Sequence, residues 1–240
     1  MSNNNTKDIK IVFDLDDTIY DLSEPFRIVH KELFSDILGE NCDELFLKSR
    51  IYSDEILAME WEGKIDPKDT FFFRMKKTYA DVNYDMDRKT AAVFEEKYRY
   101  YQKHVVVPDG IKKMLDWCNA AGIPIGVLTN GSVKEQGNKF SALELHRWFE
   151  QEYLFVSKGI GYWKPDARAF DVVKDVMGGK TENMWYVGDT YEMDVIGAKN
   201  AGWNVIWFNH RNREVPGKKN LADMTVHTAE ELLEALKGLV

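Results

Sequence analysis

With 240 residues, 44% of them hydrophobic and 30% charged, the chain can bury a sizeable core, as one domain or as a domain carrying an insertion. A formal net charge of −8 argues against a nucleic-acid backbone or an acidic membrane surface as the main partner, although a small anionic substrate held by a local cation remains compatible with it. Cys42 and Cys118 are too few for a disulfide framework, and no apolar run approaches a signal-peptide core or a membrane span, so a soluble cytoplasmic protein is expected.

Residues 1–8 are polar and are expected to fray. Ile9 to Phe13 reads as a buried strand. From about Asp21 to His104 the periodicity is helical and no strand is evident. Phe26, Val29, Leu33 and Ile37 share one helix that stops at Gly39, and Leu45, Tyr52, Ile56 and Met59 share a second that stops near Gly63. Asp66-Pro67 supplies an N-cap and a first-turn proline for a third, through Phe71, Phe72, Met75 and Tyr79. A fourth starts near Asp87 and carries Ala91, Phe94, Tyr98 and Tyr101. The aromatic residues of this block, Phe73 and Tyr100 included, read as its core, and four helices suffice for a small bundle.

After Val105 helices and strands alternate. A helix from Asp109 turns Ile111, Met114, Leu115 and Cys118 inward and stops at Gly122. Ile123 to Leu128 is a strand, a polar helical stretch follows, and Tyr153 to Val156 is the next strand. Asp166 opens a helix with Phe170, Val173 and Met177 on one face. Met184 to Val187 and Val205 to Phe208 are strands, and Ala229 to Leu239 closes the chain as a helix. Such alternation predicts an α/β fold, a Rossmann-like parallel sheet with helices on both faces. The helical block interrupts that sheet after its first strand, as an inserted lid would.

Ligand chemistry in parallel sheets gathers at the carboxyl ends of the strands, and the polar residues there form a set. Ile11-Val12-Phe13 runs into Asp14, Asp16 and Asp17, and Thr18 follows. Like charges this close raise one another's pKa unless a cation sits between them, and an all-oxygen donor set suits Mg²⁺. Asp14 can attack phosphorus as a nucleophile. Asp16, two residues on and on the same side of an extended chain, can protonate a leaving oxygen and later deprotonate water. Thr129-Asn130-Gly131 ends the second strand with a hydroxyl and a glycine amide suited to a phosphoryl oxygen, or forms a plain Asn-Gly turn. Lys164, before Pro165, offers a cation to the nucleophile and the transferring group. Asp189 follows Gly188 at a third strand end and completes a carboxylate set for the metal, with Asp194 as a further ligand or support; a helix cap and an exposed helix position are their plainer roles.

Asp14-Leu15-Asp16-Asp17-Thr18, Thr129-Asn130-Gly131, Lys164-Pro165 and Gly188-Asp189 with Asp194 resemble, in order, the four motifs of the haloacid-dehalogenase-like (HAD) hydrolase superfamily. The resemblance spans the chain and implies a catalytic core over residues 1–20 and 105–240, with residues 21–104 as a helical C1-type cap. It implies Asp14 as nucleophile, Asp16 as general acid/base, Thr129 as phosphate ligand and Lys164 as the neutralising cation. Mg²⁺ would be held by Asp14, the Asp16 backbone carbonyl and Asp189, with Asp194 supporting. The dehalogenase branch lacks an acid two residues after its nucleophile, so Asp16 makes this chain resemble a phosphatase. Asp166-Ala167 departs from the second proline that many relatives carry after Lys-Pro.

The stretch Ala58 to Ile65 resembles the cap of relatives that dephosphorylate nucleoside monophosphates or sugar phosphates. The expectation is therefore a Mg²⁺-dependent phosphomonoesterase for a small phosphorylated metabolite, with Thr18, Thr129, Asn130, Gly131 and Trp61 as substrate-binding candidates. Trp61, placed in a cap loop beside Gly63, and Tyr162-Trp163, next to Lys164, are the aromatic residues able to meet a leaving group. A phosphomutase of the same fold and a non-catalytic aspartate phospho-acceptor are the alternatives. The five histidines show no metal-site spacing and read as structural or solvated.

Overall fold

The computed structural model describes residues 8–217 and 219–240, the side chains of Asp54, Ala58 and Trp61 excepted; the frayed start expected at residues 1–7 lies outside them. The chain divides into two compact units, residues 22–105 and the remainder. Strand β1 is Lys10–Phe13, all four residues buried. The helical unit follows, with α1 (Ser23–Leu38), α2 (Asp43–Trp61), α3 (Thr70–Ala80) and α4 (Arg88–Gln102). Asp66 caps a 3-10 turn over Pro67–Asp69 that leads into α3, and Asp87 accepts from Thr90 N at 2.7 Å to start α4.

The core of this unit is aromatic. Phe26, His30, Phe34, Tyr79 and Phe94 pack ring on ring, with centroids 4.7 Å apart for Phe34–Tyr79 and 5.4 Å for Phe26–Phe94. The buried face of α1 is set by Phe26, Val29, His30 and Phe34, whereas Leu33 lies at its border and Ile37 is exposed. A helix turns 100° per residue, so spacing leaves two adjacent stripes open, and the one carrying a histidine was the less obvious. Met59, Phe73 and Tyr100, expected inside, are exposed as well.

The other unit is a six-stranded parallel sheet in the order β3-β2-β1-β4-β5-β6. In chain order it continues with α5 (Asp109–Ala120), β2 (Ile125–Thr129), α6 (Val133–Ala142), β3 (Leu154–Val156), α7 (Ser157–Ile160) and α8 (Ala167–Met177). Then come β4 (Met184–Gly188), α9 (Ile196–Asn200), β5 (Asn204–Phe208), β6 (Met224–Val226) and α10 (Ala229–Lys237). The fold is the expected α/β, Rossmann-like one. β1 lies between β2 and β4, with Val12 paired to Gly126 on one side and Tyr186 on the other. Alternation sends Val12, Tyr186 and Val205 to a face covered by Ala169, Phe170 and Val173 of α8 and Ala198 of α9. Phe13 points the other way and meets Phe149 edge to face. Parallel pairing puts the ends of β1, β2 and β4 on one edge of the sheet.

Candidate active site

β1 ends at Phe13, and the next residue, Asp14, has left the strand while its N–H still donates to Val187 O at 2.8 Å. That ladder bond fixes Asp14 at the sheet edge. The chain then turns sharply: Asp17 has φ +64°, in the left-handed region, and Ile19 N returns to Leu15 O. Asp17 is held there by Arg211, which donates to both its carboxylate oxygens, while the His210 ring lies 2.9 Å from its carbonyl. Burial pushes the Asp17 carboxyl up, but hydrogen bonds from Arg211 and His210 and their charges outweigh it, leaving it well below the usual range.

Lys164 is the centre of the buried charge. Its Nζ donates to Asp14 Oδ1 at 2.6 Å, to Asp194 Oδ1 at 2.7 Å and to Tyr186 Oη at 2.8 Å. Tyr186 in turn donates to Leu128 O at 2.8 Å. An ammonium has three protons, so these partners occupy all of them. Burial pushes the Lys164 ammonium down, yet the facing charges of Asp14 and Asp194 lift it well above its ordinary value. The backbone of Lys164 is clasped by Asn130, whose Nδ2 donates to Lys164 O and whose Oδ1 accepts from Lys164 N, both at 3.0 Å.

Asp194 was open to an exposed reading, and it is completely buried. A π-helical turn over Tyr191–Val195 makes the difference. It carries Asp194 back over the end of β4, where its Oδ2 accepts from Thr190 N at 2.9 Å. Gly188 is required there, since a Cβ would stand 2.4 Å from the Asp194 carboxyl. Asp189 pairs with Arg213 at 3.0 Å, and Trp207 Nε1 donates to its carbonyl. Oxygens of Asp14, Asp189 and Asp194 lie within 4.8 Å of one another, all three residues buried. Burial, the largest influence, outweighs the opposing charge and hydrogen bond of Lys164 and, with the charges of Asp194 and Asp16, raises Asp14 to about 7; burial and the Asp17 charge raise Asp189 well above the carboxylate range. Three buried carboxylates gathered this closely fit a hard divalent cation, and the donor set is oxygen alone.

Asp16 stands apart from that cluster. Lys139 Nζ donates to both of its oxygens, at 2.6 and 2.7 Å, Gln136 Nε2 donates to Oδ2 at 3.2 Å, and Tyr20 Oη donates to Oδ1 at 2.5 Å. Thr129 Oγ1 accepts from Gln136 Nε2 at 2.6 Å, and Gly131 N donates to Ser157 Oγ at 3.0 Å. Thr18 is buried, and its hydroxyl has no hydrogen-bond partner among the described residues. Lys158 sits over the Trp163 ring and Arg168 over that of Tyr162. Trp61 ends helix α2 rather than lying in a loop, and its side chain is outside the described residues.

Sequence reasoning passed over Gln136, Lys139, Tyr186, Arg211 and Arg213. The rule that flagged the other strand ends applies equally to Asn209-His210-Arg211-Asn212-Arg213 after β5. Gln136 and Lys139, three apart on a helix after Thr129-Asn130-Gly131, carried a weaker signal. Tyr186 looked like any strand aromatic.

The sequence model of the haloacid dehalogenase-like hydrolases matches residues 11–202, which takes in every motif above. The chain belongs to the haloacid dehalogenase-like hydrolase family. Within it the chain is 27% identical over 235 residues to a glyceraldehyde 3-phosphate phosphatase of Pyrococcus furiosus, covering 95% of this chain and 93% of that one. It is 24% identical over 233 residues to an (S)-2-haloacid dehalogenase of Pseudomonas putida, covering 90% and 94%. Among solved folds it superposes on a HAD-hydrolase, YfnB, of Bacillus subtilis with a TM-score of 0.70 at 22% identity, covering 95% and 98%. The named relatives thus differ in chemistry, one a phosphatase and the other a dehalogenase.

Proposed function

We propose that this hydrolase is a Mg²⁺-dependent phosphomonoesterase that works through a phosphoryl group carried on Asp14. The observation that carries the reading is Asp16: a second carboxylate, separate from the buried cluster and provided with its own donors. Halide leaves as a stable anion and needs no proton. An alkoxide does need one, and a positioned acid supplies it.

Asp14, Asp189 and Asp194 would hold the cation, which when bound offsets their mutual repulsion and that of an incoming phosphate. The chain's own residues do the rest. Asp14 attacks phosphorus, the bond from phosphorus to the ester oxygen breaks, and Asp16 gives that oxygen its proton. Asp16 then takes a proton from water as the water attacks phosphorus, and the carboxylate of Asp14 is restored. Lys164, bonded to Asp14 and Asp194 on the protein side, keeps a positive charge beside the group in transfer. Thr18 and Thr129 supply hydroxyls at the strand ends.

The helical unit would act as the cap, and Trp61 as one of its substrate contacts. A cap suits a small substrate because closure excludes water around one phosphate. The named glyceraldehyde 3-phosphate phosphatases favour a sugar phosphate within the expected class, ahead of a nucleoside monophosphate. Cys42 and Cys118 carry no disulfide, which supports a reducing compartment such as the cytoplasm.

Phosphate release from sugar phosphates, nucleoside monophosphates and one aryl phosphate tests the reading, each with Mg²⁺, with EDTA and with Asp14→Asn. Release that needs both Mg²⁺ and Asp14 is expected. Halide release from a 2-haloacid without phosphate release from any ester would overturn it.

A further inference from the structure

We infer that Gln136 and Lys139 of α6 are positioning residues for Asp16, a clasp that sets the acid of the reaction against the leaving oxygen; the inference rests on the phosphatase reading. Ser132 caps α6 through Glu135 N, and the two residues stand one turn apart on the same face. The partner they share, Asp16, lies over a hundred residues away in sequence, on the loop after β1. Gln136 is only 2% exposed. Its Nε2 faces three oxygens, Asp16 Oδ2 at 3.2 Å, Thr129 Oγ1 at 2.6 Å and Asn130 O at 2.9 Å, which share its two protons; the opposite amide orientation would set an oxygen against the Asp16 carboxylate and the Asn130 carbonyl, neither of which can donate. One side chain therefore ties the end of β2 to the acid after β1. Gly131 makes room for it, since a Cβ there would meet Gln136 Cγ at 2.9 Å.

The clasp is costly as packing. Gln136 Oε1 is buried with no hydrogen-bond partner among the described residues, and the Lys139 side chain is 14% exposed while bonded to a carboxylate. Apolar residues would fill the same space without an orphaned acceptor or a desolvated pair. What the polar pair adds is a fixed place for an anion. When Asp16 hands its proton to the ester oxygen, its O–H bond breaks, the alcohol's O–H bond forms, and the carboxylate left behind is the species that Lys139 and Gln136 bind. The charge that develops on Asp16 in the transition state thus meets donors already in place.

The test separates this role from a structural one through the leaving group. For β-glycerol phosphate, whose alkoxide needs the proton, Lys139→Met is expected to lower kcat/KM by about 10- to 100-fold. For 4-nitrophenyl phosphate, whose phenolate leaves unaided, the expected loss is under about threefold by the same reasoning. Lys139→Arg, which keeps a cation and donors, restores most of the alkyl activity. Gln136→Glu, which removes the donor and sets a second carboxylate against Asp16, gives the same asymmetry independently of Lys139. Equal losses on both esters, or no loss on the alkyl ester, would overturn the assignment and leave the phosphatase reading standing. A wild-type protein inert toward both would remove that reading and the assignment with it.

Discussion

The centre of this site is one ammonium with three acceptors. Lys164 is buried with Asp14 and Asp194, so its removal strands two buried carboxylates. Lys164→Met is expected to cost about 3–5 kcal/mol, the usual penalty for breaking a buried pair by one partner, read as a lower urea midpoint at unchanged slope. Tyr186→Phe removes one acceptor from the lysine and the donor to Leu128 O, and should cost about 1–2 kcal/mol. If Tyr186→Phe costs as much as Lys164→Met, the tyrosine rather than the lysine organises the cluster. Asp14 and Asp189 could be picked out before any coordinates because each sits where an apolar strand stops in a charge, and Lys164 and Asp194 through their places in the family's motifs, before Pro165 and shortly after Gly188-Asp189. Asp17 with Arg211 and Asp16 with Lys139 could not, because each pair is made by loops or helices far apart in the chain, and only the fold brings them together.

At the level of elements, propensity and periodicity located five of the six strands, since each is a run of apolar residues closed by a turn signal. β6 escaped because Met224, Thr225 and Val226 are too short a run to carry a period. The π-helical turn that buries Asp194 escaped too, because one extra residue per turn leaves no mark in composition. Helix α1 carries a different surprise in His30, which is fully buried with its Nδ1 2.8 Å from Tyr79 Oη and its Nε2 2.9 Å from Gly39 O. The carbonyl can only accept, so Nε2 carries the proton and Nδ1 accepts from the tyrosine. Burial lowers the pKa of this imidazole, the bond to Gly39 O only partly opposing it. The neutral ring is the folded form. An unfolded chain, with an ordinary histidine near 6.5, binds the extra proton first, so stability is intact above that pH and falls as the pH drops below it toward the folded value. The slope is at most about 1.4 kcal/mol per pH unit for one proton. Urea midpoints between pH 7.5 and 5 should fall more steeply for the wild type than for His30→Gln. Parallel curves would mean that the ring takes up its proton as readily in the fold as in the unfolded chain.

For the molecule as a whole, a cation held by the three clustered carboxylates would bind the folded state alone, since an unfolded chain has nothing to hold them within 4.8 Å. A ligand that binds only the folded form stabilises it by mass action, by about 2.7 kcal/mol at a hundredfold excess over Kd. Millimolar Mg²⁺ is therefore expected to raise the melting temperature of the wild type, and Asp189→Asn should abolish most of the rise. An equal rise in both proteins would place the cation elsewhere on a surface whose formal net charge is −8.

The position of β1 bears on how the protein is made. It precedes the other five strands of the sheet in the chain and sits near the sheet's middle, yet its two neighbours begin at Ile125 and Met184. Through the whole synthesis of the helical insertion, Ile11, Val12 and Phe13 have no strand to pair with, and the loop bearing Asp14 has nothing to close on. The nascent chain thus carries an unpaired apolar strand across the 111 residues between Phe13 and Ile125, the condition under which edges stick to other chains. The yield of folded protein is therefore expected to depend on chaperones during translation as well as on finished stability.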